Sequence, residues 1–152
     1  MRIFTIFTLL FISMSSHSWE CGEYDRHSQS IEDHFTLASD VIFGRVVSGE
    51  IAETLKYGHD LKLVFDITFS AKGTKSGEVE LTTYSSPPFN PFMLGGYYVV
   101  FLFGNNSVSF CSFSEESGVL IENQDDLREF TEREDIEFME SFREIYQLTV
   151  QP

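Results

Sequence analysis

Leu61-Lys62-Leu63-Val64-Phe65-Asp66-Ile67-Thr68-Phe69-Ser70 is the stretch that decides how this chain folds. Leu61, Leu63, Phe65, Ile67 and Phe69 alternate with Lys62, Val64, Asp66, Thr68 and Ser70. Successive side chains of a strand point to opposite faces, so a period of two predicts a strand with one buried face and one wet face. Downstream, Lys72-Gly73-Thr74-Lys75-Ser76-Gly77 reads as a turn, and Val79, Leu81 and Thr83 open the next strand. Upstream, Asp40 leads into Val41-Ile42-Phe43-Gly44-Arg45-Val46-Val47, a β-branched run that also predicts a strand.

Further out the pattern continues. Tyr97 to Phe103 is apolar on both faces and is expected to lie centrally in the sheet. Gly104-Asn105-Asn106 has the residues that tolerate positive φ and reads as a hairpin turn. After it, Val108 and Phe110 alternate with Ser107, Ser109 and Cys111, which points Cys111 away from the core. Before the first strand, Ile31, His34, Phe35 and Ala38 share a helical face, so a short helix is expected around Ser30 to Ala38. Residues 124–148 switch to helical spacing. Asp125 and Asp126 sit where acids favour a helix start, and Ile136, Met139, Phe142, Ile145 and Tyr146 form an apolar stripe. That stripe predicts one short and one longer helix docked on the sheet. The expected class is mainly β with C-terminal helices (α+β), built on a five-stranded OB-like closed or partly open barrel. Strand count alone leaves a sandwich open as well.

The N-terminus has the three parts of a cleavable secretory signal: Arg2, the apolar run Ile3 to Ile12, and the small polar stretch Ser13 to Ser18. The apolar run is far short of the ~20 residues that span a bilayer. Small residues at Ser16 and Ser18 place cleavage before Trp19, giving a signal over 1–18 and a single domain over 19–152, with its C-terminal helices from about 124. The expected location is therefore secreted or periplasmic. Cys21 follows Ser18-Trp19-Glu20 rather than the small apolar residues of a lipoprotein signal, so no membrane anchor is expected after cleavage.

Acidic side chains number 24 against 10 basic ones, a net charge of −14. Such a surface repels phosphate backbones, which sets nucleic acid aside as a partner. Cys21 and Cys111 are the two cysteines, and an even count in an exported chain points to a disulfide. Closing a loop of about 90 residues stabilises by about 4–5 kcal/mol in the chain-entropy treatment.

The ordered set of features resembles the netrin-like domain, the family shared with the tissue inhibitors of metalloproteinases. The residues that carry the resemblance are Cys21, Ala38-Ser39-Asp40-Val41-Ile42-Phe43-Gly44-Arg45-Val46, Phe65 to Gly73, Gly96-Tyr97-Tyr98-Val99-Val100 and Cys111. It implies an OB-like five-stranded barrel, a Cys21–Cys111 pairing, and a loop after the third strand lying beside the mature N-terminus. Inhibitory members begin Cys-x-Cys and grip the protease zinc with the first cysteine. Here the equivalent stretch, Trp19-Glu20-Cys21, holds only the second, and Ser85 to Gly96 contains none.

The loop Ser86-Pro87-Pro88-Phe89-Asn90-Pro91-Phe92-Met93-Leu94-Gly95-Gly96 is the most unusual local feature. Three prolines stiffen it and lower the entropy lost on presenting its apolar side chains. The candidate binding ridge is Trp19, Glu20 and Cys21 with Phe89, Phe92 and Met93. Its competing reading is that the apolar groups of the loop cap an open barrel end. His27 and His34 lie near Glu32 and Asp33 but lack the tight spacing of a zinc site, so no metal and no cofactor are assigned. No nucleophile elbow, phosphate-binding loop or zincin motif occurs, and no catalytic residue is assigned. The sequence thus points to a non-enzymatic protein-binding module. A metalloproteinase inhibitor using the same edge, its partner then an extracellular protease, is the alternative, and a small exported hydrolase the third option.

Overall fold

The structure, a computed structural model, describes residues 30–55, 58–85, 92–104, 106–108, 114–133 and 139–151. The elements in chain order are α1 (Ile31–Leu37), β1 (Asp40–Leu55), β2 (Gly58–Lys72), β3 (Gly77–Ser85) and β4 (Tyr97–Leu102). They are followed by β5 (Ser107–Val108), β6 (Ser114–Glu116), α2 (Gln124–Thr131) and α3 (Met139–Val150). The protein is mainly β, with one six-stranded sheet of order β5-β3-β2-β1-β4-β6. Neighbours are antiparallel except β3 and β5, which run parallel, so the sheet is mixed.

The long alternating run forms β2, paired along its length with β1 on one side and β3 on the other. Its alternation does not put all five apolar residues on one face, as the sequence predicts. The register passes from Phe43 opposite Phe69 to Gly44 opposite Ile67, which leaves Thr68 as the extra residue of a β-bulge. A bulge inserts one residue and turns the strand. Leu61, Leu63, Phe65 and Ile67 therefore pack on the inner side of the sheet, while Phe69 and Ala71 pack on the helix side. The Thr68 hydroxyl donates to the carbonyl of Ile121, and its oxygen lies 3.3 Å from that of Phe43. Three more register shifts lie along β1. Together they bend the sheet into a half-barrel.

That curvature makes two cores. On the outside, Val41, Phe43, Val99 and Phe101 pack against Leu127 and Phe130 of α2 and Phe142 and Ile145 of α3. Phe130 and Phe142 meet edge to face, their centroids 5.2 Å apart. On the inside, Ile42, Val46, Leu63, Phe65, Leu81, Val100, Leu102 and Val108 close together. β4 feeds both, with Tyr98, Val100 and Leu102 inward and Val99 and Phe101 outward, which explains why its sequence is apolar throughout.

The helices follow their sequence signals. Ser30 caps α1 by accepting from the Asp33 N–H, and Asp33 returns the bond in a capping box. Asn123 caps α2 in the same way by accepting from Asp126 N–H. The Lys72 ammonium donates to the carbonyls of Phe35 and Thr36 at the other end of α1, at 2.6 and 3.0 Å.

Two further expectations change. The sheet has six strands rather than five. Gly104 and Asn106 do take positive φ, but the chain leaving them does not form a hairpin with β4. It passes first to the edge of β3 as β5, and only at β6 pairs with β4. The chain after the turn thus reaches two opposite edges of the sheet, a division that the alternation from Ser107 cannot reveal.

Candidate functional site

Three pieces of the chain that carry the family resemblance prove to have local structural duties. Asp40 receives the Ser39 hydroxyl and faces the Lys75 ammonium, and its carboxylate lies where a Cβ on Gly73 would stand. Gly73 has φ +86, so both the backbone and the crowding require glycine there. Ser39 binds the end of β4: its N–H donates to Leu102 O at 2.8 Å, with the hydroxyl oxygen 3.0 Å from the same carbonyl. Gly96 lies against the Tyr98 ring, where a Cβ would come within 2.8 Å of Cε2 and Oη. These residues hold elements together.

The end of the proline-rich loop is pinned to β1 and β4. Gly95 N–H donates to Val46 O at 2.7 Å, Val46 N–H donates to Gly96 O at 3.2 Å, and Met93 N–H donates to Tyr98 Oη at 2.8 Å. The Phe92 ring stands edge-on to Tyr98, centroids 4.9 Å apart, and is only 7% exposed. Phe92 is therefore corrected from ridge to core: it caps the inner cluster, because its ring finds apolar partners there. Met93 points the other way at 57% exposure, and Leu94, which is not among the expected ridge residues, is 72% exposed. The only hint of Leu94 in the sequence is its place beside Met93 ahead of two glycines. Trp19, Glu20, Cys21, Phe89 and Cys111 lie outside the described residues, as do the signal 1–18 and His27.

Burial pushes the Tyr98 phenol above its ordinary pKa. The Met93 N–H works against that rise and the nearby Glu116 carboxylate adds to it. The phenol stays neutral at physiological pH and acts as a fixed acceptor for the loop backbone.

His34 is buried on the sheet side of α1, edge-on to Phe101 and Phe103, while Glu32 and Asp33 are exposed. The helix thus separates the groups that sequence proximity places together. A polar crevice between α1 and α3 is lined by Glu32, Glu140, Arg143 and Glu144, and Glu32 N–H donates to Glu144 there. No described helix is long and apolar enough to cross a membrane.

The chain matches no protein-family model and no curated protein.

Proposed function

We propose that the protein is an exported, non-enzymatic protein-binding module that docks through the end of the 86–96 loop. The observation that carries this reading is the outward pair Met93–Leu94 on a turn with three backbone anchors. Apolar side chains on a preorganised backbone lose little conformational freedom on binding, which favours their use as contacts. In the netrin-like arrangement Trp19, Glu20, Cys21 and Phe89 would extend the same ridge.

The netrin-like barrel itself belongs to this proposal. β5 and β6 stand at the two ends of the sheet order, yet only residues 109–113 separate them in the chain. An extended chain spans at most about 3.3–3.6 Å per residue. An OB-like barrel, closed where β3 and β4 come nearest in the chain's path, is the reading this short connection supports. A Cys21–Cys111 disulfide, as in the netrin-like arrangement, belongs to the same proposal.

The test uses mature protein immobilised as bait against the exported proteins of its own source cells. It is run beside a Met93→Ser/Leu94→Ser variant of equal melting temperature. A partner held by the first and lost by the second supports the proposal; equal capture by both sinks it. Nanomolar inhibition of zinc proteases by the mature protein would instead establish the inhibitor reading.

A further inference from the structure

β1 is paired on both sides for only part of its length. β4 covers it from Asp40 to Arg45, and Gly95 and Gly96 close one more position through their two hydrogen bonds to Val46. From Val47 to Leu55 the strand continues along β2, but nothing among the described residues pairs with its other side. An open edge presents a row of N–H and C=O groups on which a further strand can form. The vacant place lies in line with β4.

Another of the β1 bulges sorts the side chains beside it. The register passes from Ile51 opposite Leu61 to Glu53 opposite Asp60, which leaves Ala52 as the extra residue. Glu50 stands opposite Lys62. β2 runs along β3 without interruption from His59 to Ile67, so Lys62 and Asp60 share a face. Glu50 and Glu53 are thereby brought to that same outer face, where a regular strand would separate them. Ile51, 60% exposed, lies on the inner face with Leu61. The outer bases are already matched, Lys62 with Glu80 at 3.8 Å and Arg45 with Asp66 at 3.5 Å. Neither Glu50 nor Glu53 is in an ion pair with a described residue.

We propose that this edge takes up an extended basic segment of a partner protein as an added strand. Lysine or arginine at alternate positions faces Glu50 and Glu53, and an apolar residue between them turns to Ile51. In strand addition the main-chain hydrogen bonds supply affinity and the alternate side chains supply specificity. A second copy is the wrong occupant: bulges and like charges blunt an edge against its own kind, and each chain carries −14. The contact goes beyond the docking turn and uses neither Met93 nor Leu94.

The test is titration of the isotope-labelled mature protein with a short peptide of alternating lysine and valine, followed by amide shifts and hydrogen exchange. Saturable binding is expected, with exchange slowed at the amides from Ser48 to Thr54. Binding should weaken as salt rises from ~0.1 to ~1 M, where the screening length falls from ~10 to ~3 Å. The same peptide N-methylated throughout keeps its charge but has no main-chain donors, and is expected to bind about tenfold more weakly or worse. Glu50→Lys with Glu53→Lys is expected to lose the lysine peptide and take its glutamate–valine counterpart. Met93→Ser with Leu94→Ser is expected to bind the lysine peptide unchanged. Equal binding of the N-methylated peptide, protection at another edge, or a dimer of the free protein with Ser48 to Thr54 protected overturns the proposal.

Discussion

The N–H of Met93 donates to the phenol oxygen of Tyr98 at 2.8 Å, so a side chain of the inner core fixes the backbone of the most exposed apolar turn. Tyr98 does this from β4 while its ring packs edge-on to Phe92. Core and candidate contact surface are therefore mechanically joined at one residue.

Tyr98→Phe keeps the ring and removes the acceptor. Loss of one hydrogen bond is expected to lower stability by about 0.5–1.5 kcal/mol. Amide exchange at Met93 should accelerate more than exchange in β1. The same variant reports on pH. Because the folded phenol titrates above its ordinary value of 10.0, the unfolded chain loses the proton first. Its contribution to stability is complete below about pH 10 and falls as pH rises from there through the folded value. Denaturant midpoints measured across that alkaline range should decline more steeply for the native protein than for Tyr98→Phe.

Phe92→Ala removes a buried ring from the inner cluster and is expected to destabilise by about 3–5 kcal/mol. Met93→Ser with Leu94→Ser should stay within about 1 kcal/mol of the native protein, since both side chains stand in water. Thermal melts of the two variants measure the contrast directly; similar losses would contradict the opposite orientations of Phe92 and Met93.

Lys72→Met removes the ammonium that caps the C-terminal carbonyls of α1 and lies 5.5 Å from the Phe35 ring centroid. The expected loss is about 1–2 kcal/mol, from the lost charge–dipole and hydrogen-bond interactions. Salt should reduce the difference between the two proteins. Hydrogen exchange should locate the loosening in α1.

Gly44→Ala places a Cβ 2.2 Å from Asp66 O and 2.7 Å from Phe65 Cε1, beside the Thr68 bulge. The nearest atom is strand backbone and cannot rotate away. The variant is expected to lose at least about 3 kcal/mol, or not to fold, as judged by near-UV circular dichroism.

Much of the architecture is local and so was legible in the chain alone. Alternation from Leu61 to Ile67, the apolar run of β4, the Ser30 cap and the stripe through Phe142 and Ile145 each depend on neighbours a few residues away. The second half of β1 was missed because Ser48 to Glu53 is mostly exposed and carries no alternation of burial to betray it.

Sequence by itself determined most element types, the acid excess and the alternation of faces between one bulge and the next, because propensity and periodicity are properties of short stretches. Tertiary structure alone decided that Thr68 bulges, that Phe92 turns inward while Met93 and Leu94 turn out, and that β5 and β6 serve opposite edges. Each of those outcomes depends on which residue of a distant strand stands opposite. Register is a pairwise quantity that no single stretch of sequence contains.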